Sequence, residues 1–492
     1  MLFRILPKIN RHLLVAKESH VKDVCERGEW EEPGPWRGVD EIVWGTLRAS
    51  EGNRMGVEGA EAQRFLDEFV KEFPDPLGPD DPLPVSPLSG RLSQDEIRGE
   101  SLDLAVRLLA ARNAPPLLSA ALSHAALEEL LKSDLTPFHC PPEPEQESTS
   151  VLLQSEPLQR LFFNKLREVG FAWQQRAPAP APPPSRPLLT SVHAIRNARR
   201  KMEDRHVALP EFNQLFGLQD GVERGYYAVF DGHGGVDAAM YAATHLHVAL
   251  SQHEELQSGP AAALKSAFTR TDDMFREKAK RERLRSGSTG VAILLAGDWL
   301  HVAWLGDSQV MLVSQGQPVT LMEPHKPERE DEKQRIEDLG GCIAFMGCWR
   351  VNGTYAVSRA IGDFDQKPYI SNEADCASVH LSGKEDYVLL ACDGFFDTVQ
   401  PADVPGLVLE ALRDSGGQGG PAAQRLVSQA KSAGSSDNIT VLLVFLRDPE
   451  QLLREAEGVD DHPRCSVQET SGIVQDSEGT PEGPVGQSAA EQ

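Results

Sequence analysis

The residues best suited to chemistry are acids at the ends of apolar segments. In chain order they are Glu203, Asp204, Asp231, Asp307, Asp393 and Asp437. Asp231 closes "YYAVFDG" and Asp393 closes "VLLACDG". If the segment ends meet, the carboxylates share one pocket, where like charges raise each other's pKa unless cations neutralise them. Oxygen ligands without a His and Cys set favour magnesium or manganese over zinc.

Each acid taken alone has an ordinary structural explanation. Asp-Gly is a common turn dipeptide, and an Asp before Asn commonly forms a turn or a cap. The combination of several acids at strand ends in one part of the chain favours the shared pocket. Two divalent cations held there would activate a water molecule and stabilise the charge of a phosphoryl group. The predicted chemistry is therefore metal-assisted phosphoester hydrolysis.

The elements that must position these acids begin after residue 187. Short apolar segments recur there with turn residues between them, and their close spacing between residues 290 and 322 predicts an antiparallel meander. Helical patterns lie between the strand groups, at about 234–252, 260–285, 328–339 and 402–432. This alternation predicts a mixed α/β domain whose sheets are covered by helices.

Composition divides the whole chain into five segments. They are a poorly ordered extension (1–60), a helical region (61–176), a Pro-rich linker "APAPAPPPSRP" (177–187), a catalytic domain (188–447) and an acidic disordered tail (448–492). The Pro-rich stretch cannot continue a helix and favours an extended spacer. The helical region is either a docking or autoregulatory module or a structural appendage, and the sequence leaves both open.

Bulk composition disfavours several classes of protein. A net charge of −25 over 492 residues disfavours nucleic acid and anionic membranes as partners. No apolar segment approaches the ~20 residues of a membrane span. Seven scattered cysteines argue against a disulfide scaffold and fit a reducing compartment. We expect a cytoplasmic location, with the nucleus as a second compartment; a targeting role for the basic first residues is the less favoured alternative.

Seven ordered motifs resemble the metal-dependent serine/threonine protein phosphatases of type 2C. They are "RRKMEDRH", "VFDGHGG", "SGSTGVAIL", "WLGDSQVML", "VNGTYAVSRAIGD", "LACDGFFD" and "SSDNITVLLV". The resemblance covers residues 188–447. It implies an α+β fold with a central sandwich of two antiparallel β-sheets flanked by helices, and metals at one end between the sheets.

The resemblance also implies two Mn²⁺ or Mg²⁺ ions and a weaker third one. The implied ligands are Glu203, Asp231, Gly232 (by its carbonyl), Asp393 and Asp437 for the two ions, and Asp307, Asp393 and Asp397 for the third. Asp231 would bridge both ions, and Asp204 would hold a water molecule bound at the site. The implied reaction is direct attack of that water on the phosphate, with no covalent phosphoenzyme.

Two further residues receive catalytic roles from the resemblance. Arg199 would grip the substrate phosphate, since a guanidinium matches phosphate oxygens. His233 would donate a proton to the departing seryl or threonyl oxygen, because its pKa lies near working pH. From the residues alone, Arg199 is as readily a surface cation, with Arg200 and Lys201 as competitors. His233 is as readily a histidine near a helix start.

A narrower resemblance points to the calmodulin-dependent-kinase phosphatases, also called the partner of PIX subgroup. It is carried by "VHAIRNARRKMEDRHVALPEFNQLFGL", "KAKRERLRSGSTG" and the helical region before the linker. It implies phosphorylated protein kinases as substrates, namely calmodulin-dependent and PAK-type kinases. It also implies PIX-type exchange factors as binding partners.

Two other functions remain as alternatives. A catalytically dead, kinase-binding scaffold would lack a metal ligand, yet all the implied ligands are present. A hydrolase of small phosphoesters would prefer nucleotides to phosphothreonine peptides. For the basic block "REKAKRERLR" (276–285), the solvated end of a helix is favoured over docking of acidic or phosphorylated partners.

Overall fold

The computed structural model describes residues 51–141, 151–176 and 188–458, with side chains from residue 59 onward. Its helices are α1 (Glu51–Glu72), α2 (Ile97–Ala110), α3 (Pro116–Leu131), α4 (Ser155–Gln175), α5 (Phe212–Phe216), α6 (Asp237–Ser251), α7 (Pro260–Glu282), α8 (Glu330–Asp338), α9 (Asp393–Phe396), α10 (Val404–Asp414), α11 (Ala422–Ser432) and α12 (Pro449–Ala456). The predictions for residues 1–50, for the linker 177–187 and for residues 459–492 lie outside the described part.

The strands form two large antiparallel sheets and two short pairs. They are β1 (Arg91–Leu92), β2 (Leu153–Gln154), β3 (Leu189–Ile195), β4 (Arg205–Leu209), β5 (Arg224–His233), β6 (Gly287–Ala296), β7 (Trp299–Leu305), β8 (Gln309–Ser314), β9 (Gln317–Thr320), β10 (Ile343–Phe345), β11 (Trp349–Val351), β12 (Ile361–Gly362), β13 (Asp375–His380), β14 (Glu385–Ala391) and β15 (Ile439–Phe445). The first sheet has the order β13-β7-β6-β5-β4, with β12 pairing β6, and the second has the order β3-β15-β14-β8-β9. Strands β1 and β2, and β10 and β11, pair separately.

Strand β5 shows how the two sheets enclose a core. Tyr227 and Val229 pack in a cluster with residues of the second sheet. Tyr226, Ala228 and Phe230 face the other way and pack under α6 and α7. Successive side chains of a strand point to opposite faces, so this strand is buried on both. Helices α10 and α11 cover the outer face of the second sheet. The predicted sandwich flanked by helices is confirmed.

The predicted meander between residues 290 and 322 is wrong in one respect. Strands β6 and β7 pair in the first sheet, whereas β8 and β9 pair in the second. The chain crosses between the sheets just after Gly306, whose φ is +95° and whose missing Cβ would lie 2.6 Å from Thr289. An apolar pattern predicts a strand but not the sheet to which the strand belongs, because strands of both sheets face the same core.

The helices before the linker pack against the catalytic domain. Their apolar cluster includes Leu215 of α5 and Val248 of α6. Helix α1 begins at Glu51, before the predicted boundary at residue 61. None of the described helices has the length and apolar character required to cross a bilayer.

The predicted tail from residue 448 begins with an ordered helix, α12. The Asp448 side chain accepts a hydrogen bond from the Glu450 backbone N–H, which caps the helix. Leu452 is buried in the cluster under α10 and α11. The acidic composition of the segment concealed these apolar contacts, to which Pro449 and Leu453 also contribute.

The basic block 276–285 is not simply solvated, contrary to the favoured interpretation. The Lys278 ammonium donates a hydrogen bond to the Ser89 hydroxyl, which in turn bonds the buried Glu100 carboxylate. Arg281 donates to both carboxylate oxygens of Glu96, at 3.3 and 3.2 Å. These two cations therefore join α7 to the helical region rather than facing water.

Candidate metal centre

Three strands bring acids to one end of the sandwich. Asp231 continues the register of Tyr227 and Val229, so its side chain lies on the face of β5 that meets the second sheet. Asp393 is the first residue of α9 and is separated from β14 only by Cys392, and Asp437 is separated from β15 only by Asn438. Because β14 and β15 are paired neighbours, their two acids emerge at the same edge.

Asp231 lies among other acids. Burial raises the pKa of Asp231 well above its usual range, and the charges of Asp204, Asp393 and Asp307 raise it further. Burial likewise raises the pKa of Asp393 to about 7, and the charges of Asp307, Asp397 and Asp437 add to this effect. Carboxylates far apart in sequence thus share one pocket, where a bound cation would offset the repulsion among them.

The backbone of Glu203, two residues before β4, lies against Gly232 of β5. A Cβ atom at Gly232 would lie 2.5 Å from the Glu203 carbonyl oxygen, so only glycine fits there. The Glu203 backbone N–H donates to Asn438 Oδ1 at 2.8 Å, next to Asp437. Asn438, which the sequence reasoning missed, therefore fixes one acidic segment onto another.

Asp204 is buried with one oxygen satisfied. Thr440 Oγ1 donates to its Oδ2 at 2.6 Å, whereas among the described residues no group donates to Oδ1. Burial raises the pKa of Asp204 to about 6. A buried carboxylate oxygen without a donor fits a site completed by a cation or its water.

The thiol of Cys392 lies near these acids. Its Sγ, Asp204 and Asp231 offer ligand atoms within 4.8 Å of one another. Burial and then the neighbouring acids raise the pKa of the Cys392 thiol well above its usual range, so it stays protonated. It accepts a hydrogen bond from the Thr440 N–H at 3.2 Å. A protonated thiol is a poor ligand for a hard cation, so Cys392 supports the site rather than binding metal.

Asp307 already has a cationic partner. Lys326 Nζ lies 2.5 Å from Asp307 Oδ2. Burial alone would lower the pKa of Lys326, but the charge of Asp307, followed by Asp397 and Asp393, raises it. The ammonium group therefore lies among the three acids implied for the weaker third ion. Nothing in the local sequence around Lys326 indicated this contact.

Arg199 lies at the rim of the pocket. Its guanidinium pairs with Asp437, and 59% of its side chain is exposed. The structure therefore places Arg199 beside the acids, and it is not an isolated surface cation. Burial raises the pKa of Asp397, which lies at the end of α9.

His233 is held by an acid that the sequence reasoning missed. Its Nε2 lies 2.7 Å from Asp363 Oδ2, and the Asp363 side chain is 1% exposed. Burial alone would lower the pKa of His233, but the hydrogen bond and charge of Asp363 raise it. The Tyr355 ring contacts the imidazole edge-on, with centroids 6.1 Å apart. The only sequence signal for Asp363 was its place in "SRAIGD".

Comparisons with known proteins agree with this geometry. The family profile "Protein phosphatase 2C" matches residues 189–439. "Protein phosphatase 1F" of Rattus norvegicus is 56% identical over 408 residues, which span 82% of this chain and 90% of the relative. "Protein phosphatase 1E" of Homo sapiens is 52% identical over 387 residues, 78% of this chain and 51% of the relative.

A solved structure shares the fold. The chain titled "Structure of a C.elegans sex determining protein" aligns with a TM-score of 0.61 and 25% identity, over 81% of this chain and 96% of that one. The similarity therefore extends into the helical region before residue 188. The predicted family is confirmed: this chain belongs to the protein phosphatase 2C family and is a metal-dependent serine/threonine phosphatase.

Proposed function

We propose that the chain removes phosphate from phosphoserine and phosphothreonine in protein kinases, using two Mn²⁺ or Mg²⁺ ions. The convergence of buried acids around Asp231 is the observation that carries this proposal. Calmodulin-dependent and PAK-type kinases as substrates, and PIX-type exchange factors as partners, rest on the resemblance of the sequence to that subgroup.

The residues around the pocket fit two hard cations. The ligands would be Glu203, Asp231, the Gly232 carbonyl, Asp393 and Asp437. When bound, the ions would neutralise these acids, lower the pKa of a water molecule and stabilise charge on the phosphoryl group. Asp204 Oδ1, which lacks a donor among the described groups, would accept a hydrogen bond from the attacking water.

Two further residues act on the substrate itself. The Arg199 guanidinium offers a fork of N–H donors to two phosphate oxygens, in place of its contact with Asp437. His233, whose pKa is raised by the hydrogen bond and charge of Asp363, would give its proton to the seryl or threonyl oxygen as the P–O bond breaks. Such an alkoxide is a poor leaving group, so this proton transfer matters most for Ser and Thr esters.

A third ion would have to compete with Lys326. The ligands would be Asp307, Asp393 and Asp397, which Lys326 already faces. Because like charges repel, a cation could bind there only after the ammonium group moves away. We therefore assign this position a weaker affinity than the other two.

The test combines activity with metal-dependent stability. Phosphate release from a phosphorylated kinase should require Mn²⁺ or Mg²⁺ and stop with a chelator. Asp231→Ala should abolish it. In metal-free protein the same variant should unfold at the same or higher temperature than the wild type, because it removes a buried repelling charge. Mn²⁺ should then raise the unfolding temperature of the wild type but not of the variant.

The matched control removes an exposed acid at the end of α10. Asp414→Ala should keep both activity and the metal-dependent rise in unfolding temperature. Activity retained by Asp231→Ala, or an equal Mn²⁺ effect in both proteins, would contradict the metal assignment. Faster hydrolysis of nucleotides than of phosphothreonine peptides would favour the small-phosphoester alternative.

A further inference from the structure

The segment between β3 and β4 concentrates positive charge beside the acidic pocket. Arg196, Arg199, Arg200 and Lys201 lie within six residues, and all four are exposed. The chain as a whole carries a net charge of −25. We call residues 196–201 the basic rim. Arg199 has a proposed role in binding the phosphate, whereas Arg196, Arg200 and Lys201 take no part in the proposed reaction.

Hydrogen bonds fix the backbone of the basic rim. Asn438 Nδ2 donates to the carbonyls of Arg196 and Lys201, at 2.9 and 3.0 Å. Asn197 Nδ2 donates to the Ser435 carbonyl at 2.6 Å. Both ends of the rim are therefore tied to the segment that carries Asp437. A fixed backbone lowers the entropy lost when its side chains engage a partner.

The same contacts place the rim next to the reaction. Arg199 pairs with Asp437, and the Glu203 carbonyl adjoins Gly232. Lys201 is two residues from both Arg199 and Glu203, so its Cα lies within about 7 Å of each of their Cα atoms. The backbone that carries Arg200 and Lys201 therefore lies next to Arg199, the residue proposed to bind the phosphate.

We propose that Arg200 and Lys201, assisted by Arg196, bind acidic side chains that flank the phosphorylated residue of the substrate. The proposal rests on the phosphoprotein phosphatase function proposed above and names a preference within it. An extended peptide advances about 3.3 Å per residue, so Asp or Glu within about three residues of the phosphate can reach the rim.

Kinetics with two matched peptides test the proposal. Both peptides carry one phosphothreonine, and they differ only in having Glu or Gln at the flanking positions. For the full chain with Mn²⁺, kcat/KM should be about three- to tenfold higher for the Glu peptide, as expected for two exposed ion pairs. Raising the salt concentration should reduce this ratio towards one. Arg200→Gln/Lys201→Gln should bring the ratio to about one at low salt.

The control variant removes the same charge elsewhere. Lys384→Gln/Arg413→Gln takes two exposed cations from the β13–β14 turn and the end of α10, and should keep the wild-type ratio. A wild-type ratio of one, or a preference that survives in Arg200→Gln/Lys201→Gln, would overturn the proposal. Equal losses on both peptides would overturn it too, since they would mean that these cations bind the phosphate itself. If the wild type hydrolyses neither peptide, the proposed function fails and this preference fails with it.

Discussion

Replacing Glu96 by alanine tests whether helices α1–α4 belong to the catalytic fold. The Glu96 carboxylate is 1% exposed and its partner Arg281, at the end of α7, is 10% exposed. Tyr241 of α6 also donates to Glu96, at 3.3 Å. This buried contact joins the helical region to two helices that cover the first sheet. Its loss should therefore destabilise the whole domain.

The size of the effect follows from burial. Removing one partner of a buried ion pair typically costs about 3–5 kcal/mol, because the other charge is left unpaired. Arg281 keeps one alternative partner, Glu282, at 3.2 Å. We therefore expect the free energy of unfolding to fall by about 3 kcal/mol, the lower end of that range. A domain with a stability of about 5–15 kcal/mol would still fold.

Urea unfolding of the full chain measures this cost, with the adjacent residue as control. Asp95 pairs with Arg270 across the same interface at 2.9 Å, but their side chains are 59% and 53% exposed. Asp95→Ala should cost at most about 1 kcal/mol. If Glu96→Ala costs no more than Asp95→Ala, the helical region is a removable appendage and the reasoning from burial is wrong.

Two further predictions concern a catalytic and a buried titratable group. His233→Ala should lower kcat for a phosphothreonine peptide about 100-fold more than for p-nitrophenyl phosphate, because the p-nitrophenolate leaving group needs no proton. Steady-state assays with both substrates measure this difference, and equal losses of kcat would refute proton donation by His233. Burial raises the pKa of Glu100 from its usual value to about 7, so the folded state holds this proton where the unfolded state has lost it. The free energy of unfolding should thus fall as pH rises from about 4.5 to 7, by at most about 3 kcal/mol relative to Glu100→Gln. Urea unfolding midpoints measured against pH should show this difference. Parallel profiles for the two proteins would argue against a proton held by Glu100.

Much of the site could be read from the sequence because local pattern and position coincide there. The alternation in "YYAVFDG" places Asp231 on the inner face once the strand is recognised. Asp393 and Asp437 border strands that pair with each other. Acids at strand ends can be expected to lie close together even when the strand order is unknown, because the strand ends of a sandwich lie at its two ends.

The rest depended on contacts between distant parts of the chain. Arg281 has the sequence setting of a solvated helix end, and only the placement of Glu96, 185 residues earlier, makes it a buried partner. Asp363 and Lys326 likewise gain their meaning from His233 and Asp307, which their own neighbours in sequence do not reveal. Local sequence patterns indicate helices, strands and strand ends, but they do not indicate which side chains distant in sequence contact each other.

The acidic pocket sets function against stability. Asp204, Asp231 and Asp393 are buried together with raised pKa values, so the metal-free fold bears repulsion that an apolar core would not. The nearby hydrogen bond from the Thr440 hydroxyl to Asp204 satisfies only part of this charge. The core clusters on both sides of each sheet must offset the remainder. A chain that keeps such a cluster of acids at one end of its core has retained a site for cations at a cost to its own stability.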